Sequence, residues 1–552
     1  MPIGDVSGLL LAAAIVGAML ALLGLGIWIG LALIGVSLVA MVFGSTRMPG
    51  EAMATTIFGS LSSWTLTSLP LFIWMGEILF RSKISESMFR GLAPWLGPLP
   101  GRLLQVNVVG SAIFAAISGS SAATCATIGK ITIPELEKRG YPEEMVVGSL
   151  AGAGTLGLLI PPSIIMIVYG VTADVSINKL FIGGVVPGVV LALLFMVYVG
   201  AWSLAHGDRI PPNDVRASFA QRLRASAGLM PAVLLIAAVL GSIYAGFATA
   251  TESAALGVLG ALLLSVAHGG FGWRSFVATI MGAMKTTTMI MLILAGSSFL
   301  TIAMGFTGIP RDLAAWVGEL GLSQWQLLLA LTVLYVVLGC LLDGISMVVL
   351  TMAVLLPVVK AAGFDLLWFG IYVVLVVEMA QVTPPVGFNL FVLQNLTRRD
   401  IGFVARASLP FFAILLLMAV ALSLAARREW EVLLFGLVLA HDVETSVCIV
   451  DLNWRWPSDF YRSIPACGGL GAALSGAIPL EQAILRTGIS NLVILPAGDL
   501  PDYAQSQFAH SGALKDVMRE LDARFEHLIL DIPAVLALVP VGIPASSPEP
   551  QS

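Results

Sequence analysis

Long apolar runs recur along the chain between Leu9 and Leu424, and short polar stretches separate them. An α-helix needs about 20 apolar residues to cross the hydrocarbon core of a bilayer, where it satisfies its own backbone hydrogen bonds. The pattern therefore predicts an all-α polytopic membrane protein. Spanning helices are predicted at residues 7–25, 27–44, 66–81, 180–203, 229–247, 251–268, 276–305 and 403–425.

Two regions between these helices follow a different pattern. Around 101–138 and 323–361, apolar segments of about 15 residues flank a polar centre that contains glycine. Such segments are too short for two full crossings of the bilayer. We therefore predict a re-entrant hairpin in each region, and call them the first and the second hairpin.

A helix follows each hairpin, at 143–173 and 366–396, and adjacent prolines interrupt it at 161–162 and 384–385. Two neighbouring prolines remove two backbone donors and clash with the preceding turn, so both helices should be broken there. A constant offset of 223 residues relates the two regions. The markers that it aligns are the two proline pairs, Pro134 with Pro357, Gly140 with Gly363, Tyr141 with Phe364, and Ser120-Ser121 with Asp343-Gly344.

This internal repeat covers about 66–173 in its first copy and about 276–396 in its second. Broken helices at corresponding positions of two repeats are typical of transporters whose site lies between the halves at the bilayer midplane. Four clusters of Lys and Arg can all lie on one side of the membrane, which the positive-inside rule makes cytoplasmic. Threading the spans then predicts inverted repeats, with the first hairpin on the cytoplasmic side, the second hairpin opposite and both termini outside. Arg427 and Arg428 would then lie on the outer side, contrary to the positive-inside rule.

Composition excludes several classes of protein. Of the 552 residues 58% are hydrophobic and 11% charged, and the mean hydropathy of +0.96 is too high for a soluble globular protein. A net charge of −5 without a basic stripe excludes nucleic acid as a partner. The four cysteines form no CxxC pair, so neither a disulfide framework nor a metal site is indicated. Met1 to Ser7 has no basic region, so the first helix should be retained rather than cleaved.

The tip of the first hairpin and the following break combine small hydroxyl residues, glycine and proline. These residues let a tip expose carbonyl and hydroxyl oxygens, which suit a hard cation such as Na⁺. Tight helix packing is the alternative, and we favour an ion or substrate site because the proline break recurs in both halves. The residues are Ser118, Gly119, Ser120, Ser121 and Thr124 at the tip, and Pro161, Pro162 and Ser163 at the break.

The second hairpin and its break contain an ionisable residue. Asp343 would lie at membrane depth, where a charge is expensive and by default marks a functional pathway. Capping of the following helix is an equally good role for this side chain, and the two roles are compatible. The residues of this second candidate site are Asp343, Gly344, Ser346, Thr383, Pro384, Pro385, Gly387 and Asn389.

Three further acidic residues fall within predicted helices, namely Glu77, Glu252 and Glu378. Each is a candidate for ion coupling or for structural pairing. Glu378 is the best placed, because its helix leads into the second break, and a structural role is favoured for it.

The motifs of both candidate sites closely resemble the large membrane subunit of TRAP transporters, the DctM type, over about residues 1–428. The segments that carry the resemblance are Ser118-Gly119-Ser120-Ser121, Ile160-Pro161-Pro162-Ser163, Leu342-Asp343-Gly344 and Thr383-Pro384-Pro385-Val386-Gly387. The resemblance implies an elevator-type secondary transporter rather than an enzyme, located in the bacterial inner membrane. It also implies Na⁺ as the coupling ion, no other cofactor, and Na⁺ ligands among Ser120, Ser121, Asp343, Gly344 and Thr383.

The same resemblance implies two protein partners, a small four-helix membrane subunit of the DctQ type and a periplasmic solute-binding protein of the DctP type. Its substrates would be organic acids, such as C4-dicarboxylates, sugar acids or similar carboxylates. The sequence shows no Arg within the predicted spans that is clearly placed to bind the carboxylate of a substrate. Helix N-termini or backbone amides would therefore have to bind that carboxylate. Two other functions stay open, a stand-alone ion-coupled carboxylate carrier and a membrane-anchored, kinase-like regulator of polysaccharide export.

Residues 429–552 have a different composition, with charges, turn residues and short apolar runs. We predict a soluble-type α/β tail with buried strands at 448–451 and 528–531, each ending in Asp. Together with Ile494-Leu495-Pro496-Ala497-Gly498 the tail resembles a truncated P-loop domain of bacterial capsular tyrosine kinases and their ParA-like relatives. The tail contains no GxxxxGK[ST] phosphate loop, so we expect it to have no ATPase activity.

Overall fold

The chain forms two compact units, residues 1–423 and residues 424–552. The first unit is helical and the second is a small α/β unit. A computed structural model of the protein describes residues 14–15, 17–19, 21–44, 48–82, 84–212, 218–269, 271–320, 322–339, 342–384, 387–425, 447–451, 469–486, 492–497, 512–525 and 527–531.

Helices follow one another in the first unit with short connections, as expected for a polytopic membrane protein. In chain order the described helices are α1 (Ile29–Gly44), α2 (Pro49–Leu61), α3 (Ser68–Phe80), α4 (Ile84–Leu96), α5 (Leu104–Ser118), α6 (Ser121–Lys138), α7 (Glu143–Gly154), α8 (Leu156–Leu159), α9 (Ile164–Ala173), α10 (Ile177–Ala205), α11 (Phe219–Ser226), α12 (Met230–Tyr244), α13 (Ala250–Ala267), α14 (Trp273–Thr307), α15 (Ile309–Glu319), α16 (Gln324–Leu338), α17 (Gly344–Ala361), α18 (Leu366–Gln381), α19 (Phe388–Thr397) and α20 (Ile401–Ala425). Short 3-10 turns add Trp64–Thr67 and Gly207–Arg209.

Five of the described helices, α10, α13, α14, α17 and α20, are long and apolar enough to cross a membrane. Three bent pairs raise the number of candidate spans among the described residues to eight. The pairs bend by 58° between α2 and the segment Trp64–Phe80, by 40° between Glu143–Leu159 and α9, and by 57° between α11 and α12. The expected fold class, a polytopic all-α membrane protein with hairpins and broken helices, is confirmed.

The predicted spans coincide with helices to within a few residues wherever the structure describes them. Residues 7–13, 16 and 20 of the predicted span 7–25 lie outside the described residues, and its described positions between 14 and 24 are helical. The apolar pattern did not predict α2, α4, α11 and α15. Helices α4 and α15 are amphipathic and short, so they lack the continuous apolar run that identifies a spanning helix.

The 223-residue repeat extends to whole helices. Adding the offset to the residue numbers at both ends of α6 gives the two ends of α17. Adding it to the last residue of α4 gives the last residue of α15. Packing between the copies is reciprocal, because α9 of the first repeat packs on α17 and α19 of the second repeat packs on α6. Each half-helix after a break therefore lies against the hairpin of the other repeat.

The core of the first unit surrounds the broken helices. Helix α18 is buried at every position from Phe369 to Gln381, which is the pattern of a helix covered on all sides. Helices α10 and α20 instead expose many large apolar side chains, such as those of Val186, Val197 and Leu417, as lipid-facing helices do. The candidate sites predicted from the hairpins lie around α18.

The second unit contains a four-stranded sheet in the order β2-β3-β1-β4. Strand β1 pairs in parallel with both β3 and β4, and β2 pairs antiparallel with β3. Asp451 and Asp531, the last residues of β1 and β4, are register partners, so both predicted strands are neighbours and the α/β character of the tail is confirmed. The described elements are β1 (Val447–Asp451), α21 (Gly469–Leu474), α22 (Leu480–Ala483), β2 (Leu485–Arg486), β3 (Leu492–Leu495), α23 (Gly512–Arg524) and β4 (His527–Asp531).

Candidate functional site

The first hairpin turns between α5 and α6 at two residues, Gly119 and Ser120. Gly119 adopts a left-handed conformation with φ of 59°, which ends α5 and favours glycine. Ser120 has extended backbone and caps α6, since its hydroxyl accepts a hydrogen bond from the Ala123 N–H at 3.5 Å. Ser118 and Thr124 close the turn with a hydrogen bond of 2.7 Å between their hydroxyl oxygens.

The first break lies directly against this tip. Helix α8 ends at Leu159 and α9 begins at Ile164, so the peptide groups of 160–163 belong to no helix. The Ile164 N–H donates to the Gly119 carbonyl oxygen at 3.3 Å. A side chain at Gly119 would place its Cβ 2.7 Å from the Pro162 carbonyl oxygen, so the approach of the two segments requires glycine. The structure thus brings together the predicted tip residues and the predicted proline break.

Ser163 caps α9 in the same way as Ser120 caps α6, by accepting from the Met166 N–H at 3.3 Å. On the other side of the break, the C-terminal end of α8 packs on the tip, where a Cβ at Gly157 would lie 2.6 Å from the Ser120 carbonyl oxygen. Carbonyl oxygens at helix C-termini carry partial negative charge. Together with the hydroxyls of Ser118 and Thr124 they form an oxygen-rich region that can bind a small hard cation.

Asp343 caps the second arm of the second hairpin. One carboxylate oxygen, Oδ2, accepts from the N–H groups of Ile345 at 3.2 Å and Ser346 at 3.4 Å, and the Ser346 hydroxyl donates to Oδ1. The side chain is half-buried. The capping role is therefore observed, and ion coordination by the same carboxylate stays a prediction.

The second break separates α18, which ends at Gln381, from α19, which begins at Phe388. The Thr383 hydroxyl donates to the Met379 carbonyl oxygen at 2.5 Å. The tip of the second hairpin contacts this region, because a Cβ at Gly344 would lie 2.8 Å from Gln381 Nε2. Gly387 is buried, and its Cβ position lies 2.6 Å from the Gln381 carbonyl oxygen. Pro384 is described and exposed, whereas the predicted site residue Pro385 lies outside the described residues.

Asn389 does not join the second tip, although the sequence places it just after the second break. Its side chain is fully buried and lies beside the first repeat, with Nδ2 3.5 Å from the Cβ position of Gly154. The same Cβ position is 3.0 Å from Cys125 Cβ. This location follows from the packing of α19 on α6 and could not be read from the local sequence.

Glu378 belongs to neither of the candidate sites predicted from the sequence. It is fully buried on α18, and its Oε1 accepts from the Ser121 hydroxyl and from the Leu158 N–H at 3.1 Å. One carboxylate oxygen of the second repeat thus joins the first tip to the helix end at the first break. The sequence places Glu378 just before the second break and therefore suggests a contact with the second hairpin. The contacts in the structure are with the first hairpin.

The two other acidic residues singled out from the sequence have local structural partners. Glu77 Oε2 pairs with Arg81 Nε at 3.1 Å, one turn along α3. Glu252 Oε2 accepts from the Thr249 N–H at 2.8 Å in a capping box at the start of α13. Neither interaction joins the candidate sites.

Comparison with known proteins finds matches over the first unit. The family model of the DctM component of tripartite ATP-independent periplasmic transporters matches residues 16–427. The C4-dicarboxylate TRAP transporter large permease protein DctM of Pseudomonas aeruginosa is 32% identical over 371 residues, which are 67% of this chain and 86% of that protein. The isethionate TRAP transporter permease protein DctMQ of Oleidesulfovibrio alaskensis is 32% identical over 402 residues, 72% of this chain and 62% of that protein.

A solved structure is similar at the level of the fold. The YdaH transporter of Alcanivorax borkumensis superimposes with a TM-score of 0.53 and 13% sequence identity, covering 73% of this chain and 97% of that chain. At this identity the similarity concerns the fold alone. The family match ends at residue 427, before the α/β tail begins.

Proposed function

The chain belongs to the DctM family of tripartite ATP-independent periplasmic transporters, and from this membership we propose that it imports organic acids with Na⁺ by an elevator mechanism. Members of the family are large permease subunits, which are multi-pass membrane proteins and not enzymes. The proposal adds the coupling ion, the substrate class and the mechanism to that membership. A bacterial inner membrane is the proposed location.

The observation that carries the proposal is the contact between each hairpin tip and a broken helix. The Ile164 N–H to Gly119 carbonyl bond joins them in the first repeat, and the approach of Gly344 to Gln381 joins them in the second. Unwound carbonyls and half-helix ends are how transporters coordinate Na⁺ without a cage of charges. The proposed Na⁺ ligands are drawn from Ser120, Ser121, Asp343, Gly344 and Thr383.

The proposed substrates carry an anionic group. One similar permease is named for C4-dicarboxylates and another for isethionate, and both compounds are organic acids. The N-termini of α9 and α19, at Ser163 and Gly387, begin at the two breaks. Backbone N–H groups and the positive end of the helix dipole favour anions there. C4-dicarboxylates and sugar acids are therefore the substrates to test first.

The proposed partners follow from the tripartite organisation named for the family. They are a small membrane subunit of the DctQ type and a periplasmic solute-binding protein of the DctP type. The relative named DctMQ supports an association of the two membrane subunits. A stand-alone carrier would transport without the binding protein, so its omission from the assay separates the two functions.

The experiment is uptake of labelled C4-dicarboxylates and sugar acids into proteoliposomes that contain the full chain, the small subunit and the binding protein. Na⁺-driven uptake is expected, and Asp343→Ala and Ser120→Ala are expected to abolish it. Uptake that is indifferent to the Na⁺ gradient and to both substitutions would overturn the ion-site proposal.

Matched controls separate a lost ion ligand from a lost helix cap. Asp365→Ala removes a capping aspartate at the exposed start of α18, where Oδ1 accepts from the Trp368 N–H at 2.9 Å. Ser176→Ala removes the capping serine of α10, whose hydroxyl accepts from the Lys179 N–H at 3.4 Å. Each cap is worth about 1 kcal/mol of stability. Both controls should lower stability about as much as the site variants while uptake and its Na⁺ dependence persist.

A further inference from the structure

Two short amphipathic helices, α4 and α11, pack on each other, and we call them the interfacial pair. The Trp95 Nε1–H of α4 donates to the Ser226 hydroxyl of α11 at 2.7 Å, and the rings of Trp95 and Phe219 meet edge to face. The contact brings together two basic segments that the positive-inside rule assigns to the cytoplasmic side. Their basic residues are Arg81, Lys83, Arg90 and Arg102 in the segment of α4, and Arg209, Arg216, Arg222 and Arg224 in the segment of α11.

The interfacial pair exposes large apolar side chains next to basic ones. Phe219 is 70% and Leu223 60% exposed on α11, and Trp95 is 37% exposed near the end of α4. Arg224 of α11 is also exposed, and it forms no ion pair with any side chain that the structure describes. Helices that combine apolar and basic residues in this way lie in the plane of the membrane surface, with their apolar side chains at the boundary between headgroups and acyl chains.

Arg102 lies in the turn that joins α4 to α5, where its backbone is left-handed with φ of 51°. Its Nη1 atom is buried and has no hydrogen-bond partner within the described part of the chain, and its guanidinium forms no ion pair there. The turn is held against α10, because the Cβ position of Gly101 lies 3.2 Å from Ser203 Oγ. Buried donors normally have an acceptor, and a buried charge without a partner is costly. A negatively charged group from outside the chain would supply the acceptor that Arg102 lacks.

The second repeat contains the same element without its charges. At the constant offset of 223 residues, α4 and the turn after it correspond to α15 and the start of α16. The residues that correspond to Arg81, Lys83, Arg90 and Arg102 are Met304, Phe306, Leu313 and Trp325, respectively. All four are apolar, so an amphipathic helix at this place in a repeat does not require the basic residues. With inverted repeats the second copy lies at the opposite membrane surface, and the charges therefore follow the membrane surface and not the fold.

Two roles can place basic residues at the cytoplasmic surface. As orientation signals they act during insertion and need only lie near the helix ends. As lipid ligands they bind the negative headgroups of that leaflet, where basic pockets between helices hold anionic lipids. The buried, unpartnered Nη1 of Arg102 favours the second role, since an orientation signal needs no buried atom. A guanidinium also matches the geometry of a phosphate group, which it can bind through two parallel hydrogen bonds.

We propose that Arg102 and the interfacial pair bind an anionic phospholipid of the cytoplasmic leaflet. The Arg102 guanidinium binds the lipid phosphate, Arg224 adds positive charge at the headgroup level, and the exposed apolar side chains of the pair contact the acyl chains. The lipid lies at the base of α5, which is the first arm of the first hairpin. This inference goes beyond the proposed function and depends on neither Na⁺ coupling nor the substrate.

Native mass spectrometry of the purified full chain in detergent tests the lipid site, with phosphatidylglycerol or phosphatidylcholine of the same acyl chains added. We expect the wild type to retain phosphatidylglycerol in preference to phosphatidylcholine. Arg102→Gln should lower retention of phosphatidylglycerol at least about fivefold, because one Lys or Arg near an anionic surface contributes about 1 kcal/mol. A wild type without this preference would overturn the proposal and leave the basic residues as orientation signals. Binding to purified protein is measured after insertion, so the two roles are separated.

Arg398→Gln is the matched control. Arg398 has the same left-handed backbone, with φ of 57°, and the same predicted membrane side, but it lines the polar cavity together with Glu137 and Glu143 of this chain. Its replacement should leave lipid retention at the wild-type level, and Arg102→Lys, which keeps the charge, should lose less than Arg102→Gln. Equal losses in Arg102→Gln and Arg398→Gln would show attraction by overall charge and would contradict a site at Arg102.

A variant on the exposed face keeps the test decisive should substitutions of Arg102 prevent folding. Arg224→Gln changes an exposed side chain, and we expect phosphatidylglycerol to raise the thermal midpoint of the wild type more than that of this variant. Equal stabilisation of both proteins by the lipid would contradict binding at the interfacial pair.

Two competition experiments identify the occupant of the surface. Inorganic phosphate should not displace phosphatidylglycerol from the full chain, because the apolar side chains of the interfacial pair contribute to lipid binding. Displacement by phosphate would assign a site for free phosphate and overturn the lipid proposal. Addition of the small membrane subunit should likewise leave the lipid bound. Its loss would make that subunit the occupant of the surface, and the proposal would fail while the proposed transport function stands.

Discussion

Arg399 and Glu143 form a two-pronged ion pair, with 2.6 Å between Nε and Oε1 and 2.7 Å between Nη2 and Oε2. Glu143 begins α7 in the first repeat, and Arg399 lies just after α19, the last helix of the second repeat, so the pair joins the first repeat to the segment that follows the second. Glu143 raises the pKa of the Arg399 guanidinium through this hydrogen bond and its charge. The pair borders a polar cavity of about 530 Å³.

We predict that Glu143→Gln lowers the thermal midpoint slightly at low ionic strength and that the difference disappears in high salt. Arg399 is 57% exposed and the Glu143 side chain 27%, and salt screens exposed ion pairs. Differential scanning fluorimetry at two salt concentrations measures this. Glu144→Gln is the control, because Glu144 also lies in the first turn of α7. An equal effect of both substitutions would attribute the stability to the helix dipole and not to Arg399.

Gly157→Ala is predicted to destabilise the protein and to reduce transport. The new Cβ would lie 2.6 Å from the Ser120 carbonyl oxygen, and a backbone atom cannot move aside cheaply. Overpacking of this kind costs about 1–3 kcal/mol. Gly241→Ala in α12 is the control, since no atom lies within 4 Å of its Cβ position and alanine favours helix. The thermal midpoint and uptake are the measurements, and we expect both to decrease in Gly157→Ala and not in Gly241→Ala. Similar results for the two variants would contradict close contact between α8 and the tip.

Cys448 is predicted to resist alkylation in the folded protein. Burial raises the pKa of its thiol to about 12, so the protonated form predominates at every pH below that value. At pH 8 about one thiol in 10⁴ would be ionised, and the thiolate is the reactive species. A variant with Cys125, Cys340 and Cys467 replaced by Ser should react with maleimide slowly until denaturant is added. Fast labelling without denaturant would show that β1 is not covered as described.

Deletion of the α/β tail is predicted to leave transport intact. The family match ends at residue 427, and the first unit ends at residue 423. A chain that ends at Arg428 should therefore insert into the membrane and support the same Na⁺-dependent uptake as the full chain. Uptake per inserted molecule is the measurement, with the amount of inserted protein determined in parallel. Loss of uptake at equal insertion would assign the tail a role in the transporter.

Local patterns were sufficient to predict the long apolar helices and the two breaks. An uninterrupted apolar run identifies helices such as α10 and α14, and neighbouring prolines must interrupt a helix wherever it lies. The amphipathic helices α4 and α15 escaped prediction because they have one apolar face and no such run. The internal repeat could be detected because the constant offset of 223 residues is read directly from the sequence.

The sequence by itself determined which segments enter the membrane, where the backbone is broken and that the two halves repeat. Only the tertiary structure decided which side chains meet across the halves. Ser121 and Glu378 are 257 residues apart, and Glu143 and Arg399 are 256 residues apart. The periodicity of a sequence shows which residues, three or four positions apart, are neighbours on one helix. It does not show which residue of another helix they contact. The packing of α18 and α19, which no local pattern specifies, brings Glu378 against Ser121 of the first candidate site and Asn389 beside the first repeat.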